Sequence, residues 1–242
     1  MKLRIAHLYP GLLNIYGDRG NILSILKRCS WRNIEADVAE INQGDAINPD
    51  LYDFYFMGGG QDKQQIAVSK ELLKHKSVLT DARDGGAVFL AICGGYQLLG
   101  NYYKPHEGDE LEGISLLDVV TVAGNKRFIG NVTVNLNIED INPVSLTGFE
   151  NHSGLTYLQG VTKPLGFVTT GNGNNGSDKT EGAVYKNVFG TYLHGSLLPK
   201  NPHFADYLIK LALERNYGEI KLNEINDNTE FLAHKKALNR KY

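Results

Sequence analysis

The stretch from residue 86 to residue 99 constrains the fold more than any other part of this sequence. Its apolar run, residues 87–92, ends in small residues and then resumes with helical spacing, which predicts a buried strand that turns sharply into a helix. Ala91 and Gly95 flank Cys93 two positions to either side, where a tight reversal brings backbone segments too close for larger side chains. The pattern therefore predicts a nucleophile elbow with the sulfur of Cys93 exposed at the turn.

The chemistry of Cys93 follows from this predicted position at a helix N-terminus. Unpaired backbone N–H groups and the positive end of the helix dipole favour thiolate over thiol, and the Gly94 N–H is predicted to be one donor to an oxyanion. The alternative is a buried cysteine that packs as a small hydrophobe. We assign that interpretation to Cys29, which lies in a helical pattern with no turn to expose it.

Length and composition set the class of protein. A chain of 242 residues with 42% hydrophobic and 21% charged residues predicts one large α/β domain with a full core. The formal net charge of −2 leaves no basic excess, so neither nucleic acid nor an anionic membrane surface is expected as a partner. Two distant cysteines predict neither a disulfide framework nor a metal site, and no apolar run is long enough to span a bilayer. We expect a cytoplasmic protein without membrane insertion.

The first half of the chain has the alternation of a parallel α/β fold. Strands are predicted over residues 3–9, 34–41 and 52–57, with a helix over 21–32 between the first two. A helical stretch over 71–84 is predicted to lead into the elbow strand, and a helix over 96–102 to follow the elbow.

The pattern changes after residue 115. Successive strands with little helix between them are predicted over 116–123, 127–136 and 144–149, which indicates an antiparallel extension of the parallel core. Residues 171–176 are predicted to form a mobile, turn-rich loop without chemistry. A strand over 188–193 and helices over 201–217 and 228–240 complete the prediction.

The glycine run at residues 58–60 follows the third predicted strand. Such a run can cradle phosphate, but no Gly-Lys-Ser/Thr follows it and no Gly-x-Gly-x-x-Gly opens a helix. Because the run lies beside the elbow in a parallel sheet, Gly59 is predicted to offer a second N–H to the oxyanion. A plain tight turn is the alternative.

A catalytic base has to be chosen among seven histidines. His194 ends an apolar strand directly before a glycine, where side chains of a doubly wound sheet project into the crevice above the strand ends. His152, also at a strand end, is the second choice. Cys93 and His194 together predict acyl transfer, because a cysteine needs an imidazole to accept its proton and return it to the leaving group.

Arg127 is a candidate for substrate binding. It opens a predicted strand after the polar pair Asn125-Lys126, from where a guanidinium can grip a carboxylate with two hydrogen bonds. A solvated surface arginine is the open alternative at this position.

Three motifs together resemble the class I glutamine amidotransferases, and the resemblance covers nearly the whole chain. They are Gly58-Gly59-Gly60, Ile92-Cys93-Gly94-Gly95-Tyr96-Gln97 and Gly190-Thr191-Tyr192-Leu193-His194-Gly195. Within that group the chain resembles the branch that includes the glutaminase domain of cobyric acid synthases, and residues 14–21, 148–152 and 193–201 carry the closer match within it. The resemblance implies a three-layer, flavodoxin-like α/β fold with a mostly parallel central sheet and an antiparallel extension, and a single glutaminase domain over residues 1–242.

The same resemblance implies roles and partners. Cys93 would be the nucleophile that hydrolyses L-glutamine to glutamate and ammonia, His194 the base, and Arg127 the clamp on the α-carboxylate of glutamine. This chain would need no cofactor and no metal; ATP would be bound by a Mur-ligase-like synthase subunit of the MurT type, in a heterodimer. Ammonia would amidate the D-glutamate α-carboxylate of lipid II to D-isoglutamine in peptidoglycan biosynthesis. The alternatives are a glutaminase for cobyric acid amidation, a γ-glutamyl hydrolase on the same fold, and a binding module without activity.

One position departs from the family pattern. Most class I members carry a glutamate two residues after the histidine, and this chain has Ser196 there. Either the third member of the triad is absent or it comes from elsewhere, with Glu150 the first place to look within this chain.

Overall fold

The computed structural model describes residues 1–15, 17–139 and 141–240. Its strands are β1 (Lys2–Leu8), β2 (Glu35–Ile41), β3 (Phe54–Met57), β4 (Val88–Ile92), β5 (Tyr102–Lys104), β6 (Leu111–Glu112), β7 (Val119–Leu136), β8 (Ser145–Leu158), β9 (Gly166–Thr170), β10 (Thr180–Glu181), β11 (Ala183–Tyr185) and β12 (Val188–Thr191). Its helices are α1 (Arg19–Trp31), α2 (Asp62–Lys74), α3 (Lys76–Asp84), α4 (Gly94–Leu99), α5 (Leu197–Lys200), α6 (Pro202–Tyr217) and α7 (Asn228–Leu238).

The central sheet has six strands in the order β11-β12-β4-β3-β1-β2. All neighbours in it are parallel except β11 and β12, which pair in an antiparallel manner. Every residue of β3, β4 and β12 is buried, as expected for strands covered by helices on both faces. The sheet confirms the predicted mostly parallel α/β fold.

The helices between β3 and β4 differ from the prediction. A helix was expected only from residue 71, whereas α2 already begins at Asp62 and ends at Lys74, and α3 follows after His75. The buried face of α2 carries Gln65, Ser69 and Glu71 beside its apolar residues, so apolar spacing understates it. The helix predicted over 96–102 ends at Leu99, and the chain enters β5 at Tyr102.

The antiparallel strands form a second sheet, in the order β10-β9-β7-β5-β6, with β8 paired to β7. The strands predicted over 116–123 and 127–136 are parts of one 18-residue strand, β7, whose register against β8 shifts between Ala123 and Phe128. The strand predicted over 144–149 continues to Leu158. Backbone hydrogen bonds between Phe149 and His194 join this sheet to the chain that leaves β12.

The loop over residues 171–176 packs into the protein, contrary to the prediction of a mobile loop. The carboxylate of Glu150 accepts hydrogen bonds from the backbone N–H of Asn172 at 3.0 Å and of Gly173 at 2.9 Å. Asn174 is buried and donates to the carbonyl of Gly182 at 2.9 Å. Polar side chains thus hold a segment that its composition alone describes as a free turn.

The C-terminal helices are connected to α1 by a cluster of ion pairs. Arg28 of α1 is buried and donates from Nη2 to Asp206 of α6 and to Asp227 at the start of α7, at 2.6 Å in both cases. This buried ion cluster joins α1, α6 and α7. None of the helices in the described ranges is long and apolar enough to cross a membrane.

Candidate active site

The predicted elbow is present between β4 and α4. Cys93 stands alone between the two elements with φ 51° and ψ −106°, a conformation that costs free energy for a residue with a Cβ. A Cβ on Gly95 would lie 2.7 Å from the carbonyl oxygen of Gly58 and 2.8 Å from that of Met57, so only glycine fits there. The Cys93 N–H donates to the carbonyl of Thr191 at 2.9 Å, which fixes the turn beside β12.

Cys93 lines a cavity of about 400 Å³ at the carboxyl ends of the parallel strands. The other lining residues are Ile15, Gly60, Gln61, Asp62, Lys63, Gln65, Gln97, Tyr103, Arg127, Asn151, His152, Ser153 and Gly154. Burial raises the pKa of the Cys93 thiol to about 12, and the Asp18 carboxylate acts in the same direction, while the Gly94 N–H and Arg127 lower it. Burial therefore outweighs the helix N-terminus and favours the neutral thiol.

Arg127 lies on the wall of the same cavity, so the structure brings this predicted residue together with Cys93. Its Nε donates to Oδ1 of Asn151 at 2.6 Å, which orients the guanidinium from the neighbouring strand β8. A cation at this position can bind the carboxylate of an amino acid whose side chain reaches Cys93.

His194 follows β12, whose last residue Thr191 pairs with Ile92 at the end of the elbow strand. Its ring is 1% exposed, and a Cβ placed on Gly59 would lie 3.3 Å from its Cε1. Burial lowers the pKa of His194 to about 3, and the nearby charges of His152, Arg127 and Lys200 lower it further. The imidazole is therefore neutral at physiological pH, which is the form that can accept a proton.

His152 was the second choice for the base. Among the described residues it is the one histidine that lines the cavity. Its ring stacks on Tyr192 with centroids 3.6 Å apart, and its Nδ1 lies 2.8 Å from the carbonyl oxygen of Gly154. Burial lowers the pKa of His152 to about 4. These contacts fix the ring as part of the wall.

The two predicted oxyanion donors differ in what they face. The Gly94 N–H contacts the sulfur of Cys93. The Gly59 N–H, in contrast, donates to Oδ2 of Asp18 at 2.7 Å. Within the glycine run, Gly60 is the residue that lines the cavity. The backbone N of Gly60 would lie 3.0 Å from a Cβ placed on Gly94.

Asp18 was not predicted as a site residue. It is fully buried and precedes α1 at the N-cap position, yet its side chain does not cap that helix. Burial raises the pKa of Asp18 to about 7, and the hydrogen bond from Gly59 opposes this rise. In the sequence an aspartate before a helix indicates a cap, so nothing there pointed to a contact 41 residues away.

A buried polar network beneath the cavity was also missed. Gln65 Nε2 donates to Gln97 Oε1 at 2.6 Å, and Gln97 Nε2 donates to the Tyr192 hydroxyl at 3.0 Å. That hydroxyl lies 2.7 Å from the hydroxyl of Thr156. Gln97 is four residues after Cys93 on α4, one helical turn away, and this spacing was the available signal.

Ser196 and Glu150, the two positions considered for a third acid, both have hydrogen-bond partners elsewhere in the fold. Ser196 Oγ donates to the carbonyl of Gly17 at 2.5 Å and so ties the turn before α1 to the segment after His194. The Glu150 carboxylate is engaged by the loop over 171–176. In the described ranges no group of three or more His, Cys, Asp or Glu residues is arranged to hold a metal ion.

Comparison with protein families decides the assignment, because the model of the CobB/CobQ-like glutamine amidotransferase domain matches residues 4–202. The chain belongs to this family. The match includes the glycine run, the elbow, Arg127 and His194. It confirms the resemblance seen in the motifs, and the chain is a glutamine amidotransferase.

Two curated relatives match almost the whole chain. The GatD subunit of lipid II isoglutaminyl synthase (glutamine-hydrolyzing) from Staphylococcus aureus is 43% identical over 99% of this chain and 96% of its own length. The same subunit from Streptococcus pneumoniae is 41% identical over 90% of this chain and 83% of its length. A probable cobyric acid synthase from Methanococcus maripaludis is 38% identical over 56% of this chain and 30% of its length.

Solved structures with the same fold include PurLQS from Thermotoga maritima, with a TM-score of 0.57 over 98% of this chain and 100% of the matched chain at 16% identity. A second, described as a glutamine amidotransferase, has a TM-score of 0.57 over 86% of this chain and 98% of its own at 14% identity. At these identities the likeness concerns the fold alone, and it confirms the predicted fold class.

Proposed function

We propose that this chain hydrolyses L-glutamine to glutamate and ammonia with Cys93 as nucleophile, as the glutaminase subunit of a lipid II isoglutaminyl synthase. The observation that carries the proposal is the strained elbow cysteine sharing a cavity with Arg127. Identity of 43% to the Staphylococcus aureus GatD subunit over 99% of the chain supports the choice of pathway.

Substrate binding follows from the charges on the wall. In this proposal Arg127, oriented by Asn151, binds the α-carboxylate of glutamine with two hydrogen bonds. The side-chain amide then reaches Cys93 over the polar network of Gln65 and Gln97. A cavity of about 400 Å³ is sufficient for one amino acid.

The chemical step begins from a neutral pair, because burial raises the pKa of Cys93 and lowers that of His194. The sulfur attacks the amide carbon while its proton passes to the imidazole. The tetrahedral intermediate collapses to a thioester, and the imidazole gives the proton to the departing ammonia. Water then attacks the thioester, with His194 as base, and releases glutamate. Backbone N–H groups of Gly94 and Gly59 hold the oxyanion in both steps.

The ammonia needs an acceptor on another protein. Both GatD relatives are described as subunits, so we infer that this chain has a synthase partner. In the proposal the partner is Mur-ligase-like, binds ATP and amidates the D-glutamate α-carboxylate of lipid II to D-isoglutamine. Within this chain we propose a single domain over 1–242, since the Arg28 cluster joins α6 and α7 to the part that the family model matches.

Glutamine hydrolysis by matched cysteine variants tests the catalytic part. We expect Cys93→Ala to abolish glutamate production while its circular dichroism and melting temperature stay those of the wild type. Cys29→Ala is the control, because Cys29 is also a free, buried cysteine but lies in α1 and does not line the cavity. Glutamate release by Cys93→Ala at the wild-type rate would refute the assignment.

The acceptor is tested separately. The chain is purified from its native host, and any partner that accompanies it is tested with ATP, glutamine and lipid II. We expect an ATP-binding, Mur-ligase-like partner and a lipid II product with one amide more, identified by mass spectrometry. Amidation of a corrinoid acid, with lipid II unchanged, would favour the cobyric acid alternative.

A further inference from the structure

The carboxylate of Asp18 has no role in the mechanism above. It is fully buried, and within the part of the chain that the structure describes its Oδ1 has no hydrogen-bond partner. At the N-cap of α1 an aspartate ordinarily accepts from the backbone of its own helix. In this chain Asn14 accepts from the backbone of α1 instead, with its Oδ1 2.9 Å from the Arg19 N. Asp18 is thus a costly buried carboxylate that its own helix does not require.

The hydrogen bond that Asp18 makes with Gly59 engages a group that the reaction needs. Asp18 Oδ2 accepts the Gly59 N–H at 2.7 Å, and this N–H is the second donor predicted for the oxyanion. An N–H that is shared between two acceptors is weakened toward each, so Asp18 competes with the acyl oxygen of a substrate for this donor. While Gly59 donates to Asp18, the oxyanion hole has one of its two expected donors, the Gly94 N–H.

The contact is built into the fold around the catalytic pair. The Ile15 N–H donates to the Gly59 carbonyl at 3.2 Å, so both sides of the Gly59 residue are bound by the segment that precedes α1. A Cβ on Gly59 would lie 3.3 Å from His194 Cε1 and 3.4 Å from Asp18 Oδ2, so the carboxylate and the imidazole meet at this glycine. Ser196 ties the same segment to the chain after His194 through the carbonyl of Gly17.

We propose that Asp18 is a positioning residue that withholds the Gly59 N–H from the oxyanion hole, and that the N–H turns to the substrate only when an oxyanion replaces the carboxylate as its acceptor. The inference rests on the proposed glutaminase function. We call the hydrogen bond between the Gly59 N–H and the Asp18 carboxylate the latch. Because the oxyanion exists only in the transition state and the intermediate, the latch lowers kcat and leaves glutamine binding almost unchanged.

The Asp18→Asn variant tests the latch. The amide keeps the size of the side chain but is a weaker acceptor than a carboxylate, so Gly59 is released more easily. Since one oxyanion donor is worth roughly 10²–10³ in kcat, we expect kcat of the free chain to rise by about tenfold or more, with KM within about twofold. The exposed Asp81→Asn is the control and should leave both constants unchanged. An Asp18→Asn protein with native melting temperature and an unchanged or lower kcat overturns the proposal.

A second readout separates the latch from simple activation of the thiol, because the Asp18 charge also raises the pKa of Cys93. The rate of alkylation of Cys93 by iodoacetamide, measured at one pH in both proteins, reports any change in the reactivity of the thiol. The latch predicts that kcat rises by a larger factor than the alkylation rate does. Equal factors would mean that Asp18 acts only on the thiol, and would overturn the latch.

A structure of the wild-type chain covers the case in which the variant does not fold. The probe is the aldehyde analogue of glutamine, L-glutamate γ-semialdehyde, to which a cysteine thiolate adds to leave a tetrahedral hemithioacetal oxygen at the oxyanion position. We expect Gly59 N to lie within hydrogen-bond distance of that oxygen and beyond it from Asp18. An adduct in which Gly59 still donates to Asp18 overturns the latch, whereas failure to label Cys93 at all counts against the proposed function instead.

Discussion

His194 and His152 are both buried, neutral imidazoles, and their positions and contacts distinguish them. His194 leaves β12 beside the elbow, whereas the His152 ring is fixed by stacking on Tyr192 at 3.6 Å. We expect His194→Ala to lower kcat for glutamine by about two to four orders of magnitude, as loss of a general base does. His152→Ala should lower kcat by less, because this substitution alters only the wall of the cavity and leaves the proposed base in place. Steady-state kinetics of both variants decide the order, and the reverse order would make His152 the base.

Arg127 and its neighbour Lys126 offer a matched pair of cations on β7. Of these two residues, only Arg127 lines the cavity. A carboxylate clamp acts in the ground state and in the transition state, so Arg127→Ala should raise KM for glutamine more than it lowers kcat. Lys126→Ala should leave KM unchanged. An Arg127→Ala enzyme with wild-type KM would return this arginine to the surface interpretation.

At the level of single residues, the sequence predicted those whose reason is local. Ala91 and Gly95 indicate a tight turn around Cys93, and in the structure Gly95 packs against two carbonyl oxygens. Asp18 and Gln65 could not be predicted in this way, because each acts through a contact 41 or 32 residues distant. Asp18 lay outside the helix predicted over 21–32, and Gln65 lay outside the helix predicted over 71–84.

Elements were predicted well where burial is apolar and poorly where it is polar. β1, β2 and β3 agree with the expected strands to within two residues. The start of α2 was missed because polar side chains occupy part of its buried face. Gly124 and its polar neighbours were interpreted as a break, but they lie inside β7 at an irregularity in its register against β8. Such an irregularity depends on the partner strand, which the sequence of one strand does not show.

The short strand β10 contains a carboxyl group whose titration should be visible in stability. Glu181 is fully buried against β12, where its Oε1 accepts from the Thr191 hydroxyl and from the Tyr192 N–H. Burial raises the pKa of Glu181 to about 7, so the folded chain holds a proton there that the unfolded chain releases above about pH 4.5. A carboxyl group whose pKa is raised by folding stabilises the folded protein at pH values below the pKa of the unfolded chain. This stabilisation is lost as the pH rises through the pKa of the folded chain.

We therefore expect the free energy of unfolding of the wild type to fall between pH 5 and pH 8 relative to Glu181→Gln, by up to about 3 kcal/mol. Urea unfolding of both proteins at intervals across this range measures the difference. Glu219→Gln, at an exposed position, is the control and should run parallel to the wild type. Parallel curves for Glu181→Gln and the wild type would contradict a raised pKa.

At the scale of the molecule, the site lies where the two sheets meet. The bridge between Phe149 and His194 joins β8 to the end of β12, and Arg127 and Asn151 reach the cavity from the second sheet. The sequence predicted an antiparallel region but not that it forms its own sheet, because strand pairing across distant segments is set by the packed core. The resemblance to a family supplied what the pattern of residues could not, namely that both regions belong to one site.

The last prediction concerns the whole molecule with its partner. Ser196 stands where most relatives of the class have a glutamate, and its hydroxyl is used to hold the carbonyl of Gly17. Burial keeps the Cys93–His194 pair neutral, so an imidazolium formed during attack needs a compensating negative charge. If that charge comes from a carboxylate of the synthase subunit docked over the crevice, ammonia release is tied to the presence of a subunit that can use it. We expect the free chain to hydrolyse glutamine slowly and the complex at least tenfold faster.

Steady-state glutamine hydrolysis by the free chain and by the purified complex measures this gain. Replacing one Asp or Glu of the partner near His194 by its amide should cancel the gain while gel filtration still shows an intact complex. The same amide at a distant surface position of the partner is the control. Equal rates for the free chain and the complex would contradict a charge supplied in trans, because the imidazolium would then be compensated within this chain.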